Sequence, residues 1–444
     1  MRTKLLTLFA ATTILLWQGS ASAALNLILT KGNAGAIPIA IVPFAGSASA
    51  PQDISTIVQT DLTNSGRFNV TTPNGSNATA ASPQTIDTAY WRKQNVDDVV
   101  VGSVESAGWG KYKVTYYLVS AYQGQSQNPA ATQSANNVLA TQTFTVDTKQ
   151  MRQVAHQISD KIYQQLTGVR GVFSTKIAYV LVQKTPKQPT KYSLMVADAD
   201  GYSPQTLLTS YQPIMSPTWA PDGRQLAYVS FENGEAQIFS QDLASGRRQI
   251  ISSYPGMNNA PDFSPNGQRL ALTLTLNGNP NIYVMGLGSK QLTQVTNSPS
   301  IDTEPSWSPD GQTLVFTSNR GGGPQIYKVS AAGGSAQRLT YNGPYNASPS
   351  FTPDGKSIIM LHLNQSQNQY GVAIQDLSTG VLTMLDPGDD QSPSLAPNGS
   401  MVIFSTLYNG QEDLGMVSVD GKVKLRIPGG NGDVQEPAWS PFLS

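Results

Sequence analysis

The chain has 444 residues with 28 basic and 28 acidic side chains, so its formal net charge at pH 7 is zero. A chain of this length is expected to form two domains, and its charge balance does not indicate nucleic acid or an anionic membrane surface as a partner. It contains no cysteine. This excludes disulfides, thiolate metal sites, a cysteine nucleophile and lipidation of an N-terminal cysteine.

The first 23 residues have the pattern of a secretory signal peptide. Arg2 and Lys4 precede an apolar run from Leu5 to Trp17, and the segment ends in Ala21-Ser22-Ala23. A signal-anchor helix is the alternative, but the run is shorter than the roughly 20 residues that span a bilayer. We expect cleavage after Ala23, export from the cytoplasm and no later membrane span.

Residues 24–170 alternate strands with helices and predict an α/β domain. Ile37–Phe44 is a continuous apolar strand, and residues 51–64 have the apolar spacing of a helix that packs on one face. A second amphipathic helix over residues 150–166, followed by Gly168, closes the predicted domain.

Residues 171–444 contain one motif six times, with its leading proline at positions 217, 261, 305, 349, 393 and 437. The constant spacing is 44 residues, and the fullest copies read Pro-x-Trp-x-Pro-Asp-Gly. Short apolar segments between the copies supply four strands per repeat, which predicts a six-bladed β-propeller. The proline and glycine suit a hairpin turn, and the Trp, Phe or Leu before them is expected to pack between blades rather than bind a ligand.

The last motif has no room for the other three strands of its blade. Segments 176–180, 192–198 and 205–209 supply them, so the strand around residues 436–440 is expected to close the ring as the inner strand of the first blade.

Few groups are suited to catalysis, because His156 and His362 are the only histidines. His156 lies off the apolar face of its helix and is expected on the solvated surface. His362, at the end of a strand, is expected to be a hydrogen-bonded structural residue. The chain has no hydrolase elbow, zinc-peptidase or phosphate-loop motif, so we expect no enzyme activity.

Asp302, Glu304 and Glu436 fall near the starts of inner strands, where the central channel opens. Oxygen ligands there suit Ca²⁺. A hydrated channel with scattered carboxylates is the interpretation we favour, so no cofactor is expected.

The leader, the α/β segment and the six repeats together resemble the TolB family of the Tol-Pal system of Gram-negative bacteria. The resemblance covers the whole chain, and its landmarks are Ile39–Phe44, Leu62–Phe68, Val99–Gly102, Leu166–Gly168, Ser392–Gly399 and Pro437–Pro441.

The resemblance implies a non-enzymatic periplasmic scaffold that links the outer-membrane lipoprotein Pal to inner-membrane TolA. It implies roles in outer-membrane integrity and in invagination during cell division, and exploitation by colicins or phage in some species. Nucleic acid is not an expected partner. A periplasmic propeller that binds another small ligand or protein client is the alternative.

Two partner sites follow from the resemblance. The TolA site falls on the start of the mature chain, at Ala24, Leu25, Asn26, Leu27, Ile28, Leu29, Thr30 and Lys31. This segment either adds as a strand to a partner's sheet edge or forms the first strand of the α/β domain. The Pal site falls on loops at one mouth of the channel, at Met257, Asn258, Asn259, Ala260, Asp302, Thr303 and Glu304.

Overall fold

The computed structural model describes residues 26–29, 35–73, 80–122 and 137–443. The predicted signal peptide and residues Ala24, Leu25, Thr30 and Lys31 of the predicted TolA site lie outside this described part. Within it, no helix is long and apolar enough to cross a membrane.

The N-terminal part is an α/β domain. Its elements, preceded by a short strand, are β1 (Asn26–Leu29), β2 (Ile37–Ile41), α1 (Ile54–Asn64), β3 (Phe68–Thr71), α2 (Thr88–Lys93), β4 (Asp98–Gly108), β5 (Lys111–Ser120), β6 (Val138–Asp147) and α3 (Met151–Thr167). The sheet order is β3-β2-β4-β5-β6, in which β2 runs parallel to β3 and β4 and the other pairs are antiparallel. The main core lies between this sheet and the paired helices α1 and α3.

Both long helices have ends that the local sequence explains. Helix α1 begins at Ile54, three residues later than predicted, because Asp53 accepts hydrogen bonds from the N–H groups of Ser55 and Thr56 and acts as the N-cap. Helix α3 ends at Gly168, which adopts a left-handed φ of 76° and donates its N–H to Gln164.

The C-terminal part is a six-bladed β-propeller, as predicted. Blade 1 is formed by β7 (Lys176–Gln183), β8 (Lys191–Asp198), β9 (Gln205–Ser210) and the C-terminal β30 (Asp433–Trp439). Blade 2 is β10 (Ile214–Trp219), β11 (Gln225–Ser230), β12 (Gln237–Asp242) and β13 (Arg248–Ser252). Blade 3 is β14 (Asn258–Phe263), β15 (Arg269–Leu274), β16 (Asn281–Gly286) and β17 (Leu292–Gln294).

Blades 4 to 6 repeat the same antiparallel order. Blade 4 is β18 (Asp302–Trp307), β19 (Thr313–Ser318), β20 (Gln325–Ser330) and β21 (Gln337–Arg338). Blade 5 is β22 (Asn346–Phe351), β23 (Ser357–Asn364), β24 (Gln369–Asp376) and β25 (Leu382–Asp386). Blade 6 is β26 (Asp390–Leu395), β27 (Met401–Tyr408), β28 (Gln411–Ser418) and β29 (Val423–Ile427).

The ring closes through β30, which confirms the predicted topology. This strand is the inner strand of blade 1 and pairs antiparallel with β7, with Trp439 opposite Ile177. Trp439 also links blade 1 to blade 6, because its backbone N–H donates a hydrogen bond to Ser394 Oγ at 2.9 Å. The two ends of the propeller sequence therefore share one blade, and no inner strand is left unpaired in the ring.

The aromatic residue of the motif links neighbouring blades, as expected. The indole Nε1 of Trp219 donates to the carbonyl of Ala438 at 3.0 Å, and that of Trp307 donates to the carbonyl of Asp262 at 3.1 Å. Each bond reaches the inner strand of the preceding blade. These tryptophans are 6–7% exposed, so they combine blade packing with a satisfied polar group.

The α/β domain docks against one end of the propeller. In each blade, the turns between strands one and two and between strands three and four lie at the same end, which we call the turn face. Asn398, in the turn between β26 and β27, donates to the carbonyl of Arg170 at 2.8 Å, and Arg152 of α3 pairs with Asp200 in the turn between β8 and β9. The opposite end, the mouth face, carries the loops that join successive blades and is left uncovered by these contacts.

Candidate docking surface at the channel mouth

One residue of each inner strand has left-handed backbone geometry. The six are Ser216, Ala260, Glu304, Ser348, Ser392 and Glu436, with φ between 45° and 54°, and they recur at the 44-residue spacing. Each lies at a register shift where the inner strand bulges away from the second strand. None is glycine, so this strained geometry is imposed by the repeat itself.

Two of these six positions carry glutamates that face each other across the channel, because blades 1 and 4 are opposite in the ring. Glu304 accepts hydrogen bonds from Ser348 N at 2.9 Å and from Thr317 Oγ1 at 2.7 Å. Glu436 in the same way accepts a bond from the N–H of Ser216 in the next blade. Burial raises the pKa of Glu436, and the charge of Glu304 raises it further.

The channel opens into a larger cavity on the mouth face. The channel itself has a volume of about 430 Å³ and is lined by the bulged residues and the motif prolines. The cavity at the mouth has a volume of about 530 Å³ and lies between blades 5 and 6. The two share Glu304, Ser348 and Ser392, so they form one continuous space.

The mouth cavity is acidic and partly aromatic. Its walls include Tyr345 and Tyr370, whose rings meet edge to face at 5.0 Å, and the acidic residues Glu304, Asp389, Asp390 and Glu412. No lysine or arginine is among the residues that line it. Cationic or hydrogen-bond-donating groups of a partner therefore fit this cavity.

Asp390 is fully buried at the wall of the cavity. Its Oδ2 accepts a hydrogen bond from Val372 N at 3.3 Å, whereas its Oδ1 has no partner within the described residues. Burial, with a contribution from Asp386, raises the pKa of Asp390 to about 8.

Exposed apolar side chains are concentrated on the mouth face. In the described propeller, eight of the ten exposed large apolar residues lie there: Tyr211, Met257, Leu276, Ile301, Tyr341, Tyr370, Leu407 and Tyr408. The other two are Ile250 on an outer strand and Val381 on the turn face. Apolar groups that surround a polar cavity are typical of a protein-docking surface.

The structure divides the predicted Pal residues into two groups. Met257 is 39% exposed, and Asn259, Ala260, Thr303 and Glu304 are partly exposed around the mouth and the channel. Asn258 and Asp302 are 0% exposed, so the prediction that they lie on a contact surface was wrong. Asn258 holds its own loop through Ser252 and Tyr254, and Asp302 pairs with Arg320 at 2.7 Å.

The prediction missed the part of the mouth that belongs to blades 5 and 6. Tyr345 and Asp389 line this part of the mouth. They occupy the same repeat position as Met257 and Ile301, because the four residues follow one another at intervals of 44. Continuing the 44-residue register from Met257 identifies them. Tyr370 and Glu412, at the starts of the third strands of blades 5 and 6, have no comparable signal in the motif.

The structure bears out the prediction for one histidine and contradicts the prediction for the other. His362 is a structural residue as expected, because its Nδ1 lies 2.8 Å from Asn346 Oδ1 and desolvation lowers its pKa. The prediction that His156 is on the solvated surface was wrong, since it is 1% exposed between the two domains. Among the described residues, the group close enough to share a metal ion is Asp61, His156 and Asp200, and it does not include the channel carboxylates.

The N-terminal strand β1 is outside the α/β sheet. It pairs antiparallel with β29, with Asn26 opposite Arg426 and Leu29 opposite Val423, and so adds a fifth strand to blade 6. The alternative that this segment is the first strand of the α/β domain is therefore wrong for Asn26–Leu29. Strand addition to a sheet edge is what these four residues do within their own chain.

Comparison with known proteins shows which family has this architecture. Residues 25–127 match the TolB amino-terminal domain, and residues 163–443 match the TolB beta propeller domain. The chain belongs to the TolB family. It is 58% identical over 436 residues to the Tol-Pal system protein TolB of Coxiella burnetii (strain RSA 493 / Nine Mile phase I), a match that covers 97% of each chain.

Other TolB proteins support the same assignment. The Tol-Pal system protein TolB of Legionella pneumophila (strain Corby) is 44% identical over 238 residues, which covers 53% of this chain and 52% of that one. The crystal structure of TolB from Acinetobacter baumannii superposes with a TM-score of 0.83 at 39% identity and covers 94% of this chain and all of that one.

Proposed function

We propose that this TolB-family protein is a non-enzymatic periplasmic scaffold that links Pal in the outer membrane to TolA in the inner membrane. In this role it supports outer-membrane integrity and the inward movement of the outer membrane during division. It requires no bound cofactor. The observation that carries the proposal is the uncovered mouth face, where exposed apolar side chains surround an acidic cavity.

The mouth face is the proposed Pal site. The α/β domain occupies the turn face, so a globular partner reaches the channel from the mouth face without displacing a domain. The cavity of about 530 Å³ accepts one or two side chains, and the apolar rim supplies area that is removed from water on binding.

The proposal is tested by adding charge to the rim. Met257→Glu, Ile301→Glu and Leu407→Glu together are expected to weaken Pal binding at least tenfold in calorimetric titration. Val381→Glu is the matched control, because Val381 is 60% exposed on the turn face. Equal Pal affinity in the triple variant and the control would move the site away from the mouth face.

The start of the mature chain, residues 24–31, is the proposed TolA site. Asn26–Leu29 already pair with an exposed sheet edge in blade 6, so the segment has the strand-forming capacity that addition to a partner's sheet requires. Because β1 is the outer strand of this five-stranded sheet, its second edge can pair with a strand of TolA while the first stays on β29.

Deletion of residues 24–31 tests this second site. The deleted protein is expected to lose TolA in a pull-down and to keep Pal, since β1 lies along the outer edge of blade 6, whereas the proposed Pal residues surround the channel mouth. Retained TolA binding with intact folding rules the segment out. In cells, the deletion is expected to cause leakage of periplasmic enzymes and sensitivity to detergent.

A further inference from the structure

His156 lies buried in the seam between the α/β domain and the propeller. Its Nδ1 is 2.8 Å from Asp61 Oδ2 of α1, which also accepts a bond from Ser159 Oγ at 2.7 Å. Its Nε2 has no hydrogen-bond partner among the residues that the structure describes and lies 3.9 Å from Asp200 Oδ2, in the turn between β8 and β9. The imidazole is therefore placed between a carboxylate of one domain and a carboxylate of the other.

The charged groups that face this position come from four elements and the turn after β8. The acidic ones are Asp61 of α1, Asp198 at the end of β8 and Asp200 in the turn that follows. The basic ones are Arg152 of α3, which pairs with both propeller carboxylates, and Lys176 of β7, which is 2.8 Å from Asp198. Three negative charges thus face two positive charges.

One proton on His156 balances this cluster. A neutral imidazole that donates from Nδ1 to Asp61 points the lone pair of Nε2 at the carboxylate of Asp200, which is repulsive. An imidazolium carries an N–H on each nitrogen, and its positive charge attracts both carboxylates. Asp61 and Asp200 raise the pKa of His156, although burial opposes them and Arg152 lowers it.

A proton fits the position better than a metal ion does. Arg152 already binds the oxygen of Asp200 that faces His156, and its guanidinium lies 3.8 Å above the ring of Tyr202. A divalent cation between Nε2 and Asp200 would repel that fixed guanidinium and would have one free nitrogen and one shared oxygen as its protein ligands.

We propose that His156 is a protonation-dependent latch that holds the α/β domain against the propeller through Asp61 and Asp200. Protonated, it attracts a carboxylate on each side of the seam. Once it loses its proton, the contact between Nε2 and Asp200 is repulsive and the two domains separate more readily.

The sign of the effect follows from the raised pKa. The latch is complete below the ordinary histidine pKa, near 6.5, and is lost as pH rises through the higher pKa of the docked state. Between those two values the docking equilibrium weakens about tenfold per pH unit. Asp160, one turn further along α3, titrates just below this range, because burial raises its pKa to about 6.

The chain allows a direct test, because it has two histidines and the second is a natural control. In the full two-domain protein with ¹⁵N-labelled histidine, His156 is expected to titrate above pH 6.5 and His362 below it. Protection factors, which correct amide exchange for its intrinsic pH dependence, are expected to fall at least tenfold for residues 198–202 and for α3 across the His156 titration. Asp160→Asn is expected to preserve this fall.

Two variants and a chelation step separate the latch from simple packing. Asp200→Asn is expected to lower the His156 titration midpoint while leaving His362 unchanged. His156→Gln is expected to remove the pH dependence of the protection factors at the seam. His362→Gln is expected to retain it. The proposal is overturned if His156 titrates below pH 6.5, or if amide protection at the seam does not change across its titration. It is also overturned if chelation shifts the titration of His156, because that would reveal a bound metal.

Discussion

Two aspartates at equivalent repeat positions are expected to respond oppositely to the same substitution. Asp302 and Asp390 begin the inner strands of blades 4 and 6, both are 0% exposed, and each has an Oδ1 without a partner in the described structure. Asp302 pairs with Arg320 at 2.7 Å, whereas the nearest cation to Asp390, Lys424, is paired with Asp386. Asn258 and Asn346 occupy the same position in blades 3 and 5, so asparagine fits the site.

The expected magnitude for Asp390 follows from its pKa of about 8. The unfolded chain ionises this carboxyl near pH 3.9, so the folded state must take up a proton at neutral pH, which costs about 4 kcal/mol at pH 7. Stability therefore falls as pH rises from 4 to 8. Asp390→Asn removes the uptake and can keep the bond from Val372 N, so its advantage over the parent chain grows by about 1.4 kcal/mol per pH unit in that window.

The matched substitution Asp302→Asn leaves Arg320 without its carboxylate. Breaking a buried ion pair from one side is expected to lower stability by about 3 kcal/mol. Urea unfolding followed by tryptophan fluorescence at several pH values between 4 and 8 measures both effects. Parallel pH curves for the parent and Asp390→Asn, or equal losses in both variants, would refute the reasoning.

A deletion and two substitutions test the ring and a hairpin. Deleting residues 435–444 removes most of β30 and is expected to lower the melting temperature by more than 10 °C, as one blade loses its inner strand; an unchanged melting temperature contradicts ring closure. Trp307→Phe is expected to lower stability by about 1–2 kcal/mol, because the carbonyl of Asp262 loses its indole donor; no loss would show that packing alone matters. Trp109 is fully exposed and has a left-handed φ of 53°, which asparagine adopts at lower cost than tryptophan. Trp109→Asn is therefore expected to raise the free energy of unfolding in urea by about 0.5–1 kcal/mol. A decrease would indicate an unrecognised contact of Trp109.

The repeat predicted the propeller because each copy of the motif carries its own turn and its own apolar strands. Counting strands predicted the strand order within a blade and the closure of the ring by the C-terminal strand, which the structure places at residues 433–439. The aromatic residue of the motif was predicted to pack between blades, and Trp219 does so. The same register, carried on from Met257, reaches Tyr345 and Asp389 at the mouth. Periodic features of the site were therefore accessible from the sequence.

The sequence did not predict the surroundings of side chains that pack against another part of the fold. His156 lies off the apolar face of α3, and on an isolated helix such a position faces water. In the folded chain that face meets blade 1, where Asp200 completes a charged cluster with Arg152 of α3. Asp302 and Asn258 were placed on the surface because they lie next to the loops between blades. Their side chains turn inward instead, Asp302 to Arg320 and Asn258 to Ser252.

By itself, the sequence determined the leader pattern, the α/β segment, the number of blades and the closing strand, since each depends on local spacing or on turn chemistry. The tertiary structure alone decided which end of the ring the α/β domain covers, that β1 pairs with β29, and that His156 bridges the two domains. These outcomes arise from contacts between segments distant in sequence. Their energies depend on burial and on charge partners that spacing along the chain does not specify.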